Sequence, residues 1–166
     1  MQSKQKAIFL DRDGVLIRER GDYTWQLEDM QINGDVNEAL KKFTQEGFVL
    51  IVISNQSGIS KGLYTKENAD YLHLHLDRFF KNNGIQIKEF YYCPHHPSVS
   101  NCLCRKPDSL LLEKAIARFN INVDESWFIG DADRDIEAGI KAGVRTFKLD
   151  VNGSLMEAAE IILKSV

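Results

Sequence analysis

Short, wholly apolar runs alternate along the chain with longer stretches in which apolar residues recur every three or four positions. The runs have the length of strands buried on both faces, and the stretches between them have the period of helices covered on one face. Residues 7–10 (AIFL) form the first run, which stops at Asp11. From Asp35 onward Val36, Ala39, Leu40 and Phe43 share one helical face, and Gly47 is placed to end that helix. Residues 48–54 (FVLIVIS) form the second run. Thr65 can cap a long helix carrying Ala69, Leu72, Leu76, Phe79 and Phe80, with Gly84 as its stop, before a third apolar segment at 85–92. The pattern then predicts a helix over 110–119, a strand over 126–130, a helix over 135–142, a strand over 144–149 and a helical segment over 154–166. Five strands alternating with helices predict an α/β fold with a central parallel sheet covered on both faces.

Two segments resist this alternation, residues 14–34 and 93–107. In open parallel sheets ligands bind beyond the carboxyl ends of the strands. Polar clusters follow the first four strands: Asp11 and Asp13, Ser54 and Asn55, a Cys/His loop, and Asp131 with Asp135. The fold predicts that all four converge at one edge of the sheet.

Composition narrows the picture. A chain of 166 residues with 43% hydrophobic content matches one domain, residues 1–166, with room for a real core. The net charge of −3 is spread without long runs, which argues against nucleic acid or an anionic membrane as partner. No stretch approaches the roughly 18 apolar residues of a spanning helix. The first residues reach charge after only four apolar positions, so neither a signal peptide nor an anchor is expected. No extra apolar stripe is evident, and a monomer is expected.

The aspartates carry the first chemistry. Asp11-Arg12-Asp13-Gly14 sets two carboxylates two apart at a strand end, where one can attack an electrophile while the other handles a leaving-group proton. Elsewhere such a string is a solvated turn; its place directly after a buried run favours the chemical reading. Gly130-Asp131-Ala132-Asp133-Arg134-Asp135 repeats the arrangement before a helix, where one aspartate can serve only as a cap. Two such clusters brought together would hold a hard divalent cation, most simply Mg²⁺. Ser54, Asn55, Gln56 and Ser57 offer hydroxyl, amide and backbone donors suited to phosphoryl oxygens, and Arg105 and Lys106 add two cations.

The three cysteines lie within twelve residues of one another, an odd number that cannot all pair within the chain. Cys93 and His95, then Cys102 and Cys104, supply three sulfurs and one imidazole, the number and softness that suit a tetrahedral, structural Zn²⁺. Reduced thiolates of this kind point to the cytoplasm. Zinc would fix a polar loop that leads directly into Arg105 and Lys106. His73, His75 and His96 receive no role; the first two read as partly exposed histidines on the long helix.

Together DRDGV, SNQ, Lys106 and GDADRD resemble, in order, the four motifs of the haloacid dehalogenase (HAD) superfamily of phosphotransferases, subfamily IIIA. The resemblance implies a Rossmann-like α/β/α sandwich without a cap domain, acting on a small phosphorylated metabolite. It implies Asp11 as the nucleophile that forms an aspartyl phosphate, Asp13 as acid and base, and Ser54 and Lys106 as partners of the phosphoryl oxygens. Asp11, the Asp13 main-chain carbonyl and Asp131 would hold Mg²⁺, with Asp135 in support behind them. Within the superfamily the string CPHHP followed by CLCRKP resembles phosphatases of heptose 1,7-bisphosphate, which lose the 7-phosphate, and of histidinol phosphate, the heptose group more closely. That likeness implies substrate recognition by Arg105 and contacts to the substrate phosphate from Ser54 to Ser57. The chain departs from both groups at Ala132, where they carry a cation. Glu19, Asp22 and Glu28 are the acidic candidates for a substrate amine.

Overall fold

The computed structural model describes residues 3–165. Met1 and Gln2, at the start of the N-terminal stretch read above, and Val166, at the end of the predicted last helix, lie outside the described residues. The elements run β1 (Ala7–Leu10), α1 (Val36–Gln45), β2 (Val49–Asn55), α2 (Lys66–Asn82), β3 (Ile87–Cys93), α3 (Leu110–Phe119), β4 (Trp127–Gly130), α4 (Asp133–Ala142), β5 (Arg145–Lys148) and α5 (Leu155–Leu163). All five strands predicted from the pattern are present. Boundaries shift by a residue or two, and α4 starts at Asp133 rather than 135, because the Asp135 carboxylate accepts from the Ala132 N–H and draws the turn before it into the helix.

The sheet is wholly parallel in the order β3-β2-β1-β4-β5. Alternation along β1 divides the core. Ile8 and Leu10 pack with Leu50 and Val52 under α1, α5 and the end of α2, through Leu40, Phe43, Ala158, Ile162 and Phe80. Ala7 and Phe9 face the other way, with Ile51, Ile53 and Phe128 against Leu111, Leu112 and Ala115 of α3 and Ala138 of α4. Each such side chain, fully withdrawn from water, contributes about 1.5–3 kcal/mol before entropy is counted. This double cover fixes β1 in the middle of the sheet and brings the carboxyl ends of β1, β2 and β4 side by side.

The two segments outside the alternation are structured differently. In residues 14–34 Val15, Leu16 and Ile17 are buried in the core, and the segment carries one short 3-10 turn, Leu27–Asp29, and an isolated antiparallel bridge between Ile17 and Ile32. They fold back over the strand ends, where Trp25 stacks on Tyr64 at 6.0 Å between ring centroids and Tyr23 meets the same ring at 5.9 Å. Residues 94–109 contain no helix or strand, and of their side chains only Lys106 is buried. Thr65 caps α2 as expected, its hydroxyl accepting from the Asn68 N–H.

Candidate active site

β1 delivers Asp11 to the centre of the sheet edge, 4% exposed. Lys106 arrives from the far side of β2; its ammonium donates to the Ile53 carbonyl at 2.8 Å and forms ion pairs with Asp11 Oδ1 and Asp135 Oδ1, each at 2.8 Å. Asn55, at the end of β2, fixes this approach by pairing its amide with the Lys106 backbone, Nδ2 to the carbonyl at 3.1 Å and Oδ1 from the N–H at 3.0 Å. Burial penalises the ammonium, but Asp11 and Asp135 outweigh it and hold Lys106 above its ordinary range. Burial pushes the Asp11 carboxyl up to about 7, against the pull of Lys106 and with Asp135 adding to the push.

Asp131, at the end of β4, completes the centre. Its carboxylate lies with those of Asp11 and Asp135 in one group whose donor oxygens fall within 4.8 Å of one another. Burial, then the Asp135 charge, raises the Asp131 carboxyl, and its Oδ1 is buried without a hydrogen-bond partner. Two carboxyls raised by their surroundings and one orphaned oxygen are what a site for a divalent cation leaves when only protein atoms are counted. The Asp11 and Asp131 oxygens fit such an ion. Asp135 is already engaged by Lys106 and by the Ala132 N–H, so it supports the centre from behind.

Gly14 makes this approach feasible. Its φ is +85°, and a Cβ there would overlap the Asp131 carboxylate. Gly14→Ala is therefore expected to displace Asp131 and lower kcat/KM by about 10²-fold. Steady-state kinetics across a magnesium series checks this, and wild-type activity at every magnesium concentration would show that Asp131 tolerates the shift.

The Asp13 side chain turns away from the acidic group and into a polar network. Arg12, 1% exposed, grips both of its oxygens, and Gln56 Nε2 donates to Oδ2 at 3.1 Å and to Ser54 Oγ at 2.7 Å. Gln56 Oε1 accepts from Tyr64 at 2.6 Å. Of the residues 54–57, Asn55, Gln56 and Ser57 line a cavity of about 410 Å³ above Asp11, whereas Ser54 sits beneath it, 1% exposed. Arg105, Glu19, Asp22 and Tyr23 also line it, with Arg134 from the first turn of α4 and with Arg12, whose guanidinium is taken up by Asp13. Glu28 is not among the lining residues.

On the opposite side of Lys106, Cys93, His95, Cys102 and Cys104 form a second compact group of donors. Cys93 Sγ lies 3.6 Å from both Cys102 Sγ and His95 Nδ1, and His95 Nδ1 lies 3.3 Å from Cys104 Sγ. Four donors at about 2.0–2.3 Å from a tetrahedral ion stand roughly 3.5 Å apart, so the set fits zinc. The Cys93 and Cys104 sulfurs, 3.0 Å apart, are not bonded, and all three cysteines are free.

The HAD-hydrolase-like family model matches residues 103–151, a span that holds Lys106, Asp131 and Asp135. The D-glycero-beta-D-manno-heptose-1,7-bisphosphate 7-phosphatase of Haemophilus ducreyi is 34% identical over 98% of this chain and 94% of its own length. The enzyme of the same name from Helicobacter pylori is 37% identical over 90% of this chain and 86% of its own. The chain belongs to this phosphatase family of HAD-like hydrolases. Its fold agrees: the crystal structure of D,D-heptose 1,7-bisphosphate phosphatase from B. bronchiseptica, complexed with magnesium and phosphate, superposes with a TM-score of 0.85. That match is 23% identical and covers 97% of this chain and 99% of the other.

The structure brings Asp11, Asp131, Asp135 and Lys106, all singled out in the sequence, to one centre, and surrounds them with residues that the sequence does not single out. Arg12, Tyr64 and Arg134 are not among the candidates of the sequence, and His73 is there a partly exposed histidine without a role. A charge set between two aspartates at the end of a buried strand is the one signal that pointed to Arg12, since a cation there must be paired. His73, read as partly exposed, is 6% exposed, because α2 presents it to Arg12 rather than to solvent. Arg134 lies two residues beyond Ala132, and the turn of α4 places it on the cavity wall.

Proposed function

We propose that the chain, as a single domain acting as a monomer in the cytoplasm, removes the 7-phosphate of D-glycero-D-manno-heptose 1,7-bisphosphate. The observation that carries this reading is the pairing of a buried nucleophile with two cations, Arg105 and Arg134, on the wall of one cavity. A monophosphate needs only the first centre; a bisphosphate gives the two arginines a partner. The names of the relatives support the same substrate.

Asp11 attacks phosphorus, held in line by Lys106, and Asp13 supplies the proton to the leaving alcohol. Asp13 then takes a proton from the water that releases phosphate from Asp11. Mg²⁺, held by the Asp11 and Asp131 carboxylates and the Asp13 main-chain carbonyl, would neutralise charge on the phosphoryl oxygens. Zn²⁺ on Cys93, His95, Cys102 and Cys104 would fix the loop that carries Arg105 and Lys106. Free thiols in that loop fit a reducing compartment.

Histidinol phosphate stays as the second reading because Glu19 and Asp22 line the same cavity and would suit a protonated amine. With magnesium present, kcat/KM is expected to favour heptose 1,7-bisphosphate over histidinol phosphate by a hundredfold or more, about 2.7 kcal/mol of transition-state discrimination. The opposite preference would move the assignment to the amino alcohol.

A further inference from the structure

The guanidinium of Arg12 lies among protein acceptors. Nε donates to Asp13 Oδ2 at 3.1 Å, and the two protons of Nη2 are shared among Asp13 Oδ1 at 3.0 Å and Oδ2 at 3.0 Å, the Thr24 carbonyl at 2.9 Å and Gln56 Oε1 at 3.1 Å. Nη1 lies 3.1 Å from His73 Nε2, on the middle of α2. A guanidinium has no lone pair to offer, so this contact is a hydrogen bond only with Nε2 unprotonated, which puts the single ring proton on Nδ1. Burial and the Arg12 charge both hold His73 well below its usual range, in keeping with a neutral ring. Phe90 stacks on that ring at 5.2 Å and 17°, and Tyr92 flanks it at 5.2 Å.

A carboxylate offers about four acceptor positions. Arg12 takes one on each oxygen of Asp13, and Gln56 takes a second on Oδ2, so the position left over is on Oδ1. We propose that His73 and Arg12 are positioning residues for Asp13: the imidazole fixes the guanidinium, and the guanidinium fixes the carboxyl so that Oδ1 exchanges the proton of the reaction. This rests on the phosphatase reading above and deepens it. As an Asp11 oxygen bonds to phosphorus and the bond from phosphorus to the leaving oxygen breaks, the Oδ1 proton passes to that oxygen and Asp13 becomes a carboxylate. In the second half a water oxygen displaces Asp11 from phosphorus, its proton goes to Asp13, and inorganic phosphate leaves.

Two substrates separate this role from a merely structural one. kcat/KM reports the steps up to the aspartyl phosphate; a sugar alkoxide needs the proton in those steps, whereas 4-nitrophenolate leaves as a stable anion. His73→Leu is expected to lose about 10²-fold in kcat/KM on heptose 1,7-bisphosphate and under about threefold on 4-nitrophenyl phosphate. His73→Gln, whose amide oxygen can accept from Nη1, is expected to regain most of that loss. Arg12→Lys, a point donor in place of a fork, should show the same split and carries the test if His73→Leu does not fold. Equal losses on both substrates, or full activity of His73→Leu on the sugar phosphate, overturn the proposal. Wild-type protein inactive on both substrates would instead sink the phosphatase reading beneath it.

Discussion

Asp11→Asn is expected to lower turnover by a factor on the order of 10⁴ or more while leaving the fold intact. The amide matches the carboxylate in size, so β1 and its neighbours keep their packing, but it cannot form the bond to phosphorus. Stability should move the other way. In the metal-free protein burial raises the Asp11 carboxyl to about 7, far above its value of 3.8 in an open chain. A carboxyl raised in this way favours the fold in its neutral form, and stability is lost as pH rises from about 4 through about 7. At pH 8 without magnesium the Asn variant should therefore melt above the wild type, and the gap should close toward pH 4. Magnesium should raise the melting temperature of the wild type and do little for the variant. Turnover by Asp11→Asn at more than a trace would sink the covalent mechanism.

Stripping the metal from the cysteine loop, by chelation or by Cys104→Ser, should cost both stability and activity. Residues 94–109 bury one side chain, Lys106, and form no helix or strand, and their apolar contact with the core is limited to the partly buried Cys102 and Cys104. Their polar anchors include the Asn55–Lys106 pair, the Lys106 ammonium at the centre, the Asp108–Lys141 ion pair and a backbone bond from Ser60 to the Pro94 carbonyl. A loss of about 3 kcal/mol would lower Tm by roughly 6–12 °C in a chain of this size. Because Lys106 enters the centre on this loop, kcat should fall by about 10²-fold at the same time. Burial holds the Cys93 thiol above its ordinary range, so zinc must displace a proton there, and the metal should leave more readily as pH falls. Zinc content by mass spectrometry, read beside Tm and kcat, checks this; a zinc-free protein with unchanged Tm and kcat would remove the loop from any structural role.

The central strands were legible because they are short apolar runs, AIFL and the VLIVI of β2, whereas β3 (IKEFYYC) and β5 (RTFK) carry charges and were placed by the turn residues and helices around them. Asp11, Asp131 and the zinc-loop donors were legible for a related reason. Each stands at a strand end or in a tight spacing such as C-x-C, where neighbours in sequence are neighbours in space. Arg105 and Lys106 follow from that loop.

What the sequence by itself determined is thus the alternation of strands and helices, the convergence of polar clusters at one sheet edge, and the two sets of side chains, Asp11 with Asp131 and Cys93, His95, Cys102 with Cys104, that the fold brings together. Only the tertiary structure decided the strand order β3-β2-β1-β4-β5, the burial of His73 against Arg12 and the arrival of Arg134 on the cavity wall. It also decided that Asp13 looks toward a guanidinium and not toward the other aspartates. The physical reason is the range of the interactions. Periodicity reports which face of an element is covered, but His73 and Arg12 are separated by 61 residues, and their pairing exists only once α2 has packed against the sheet.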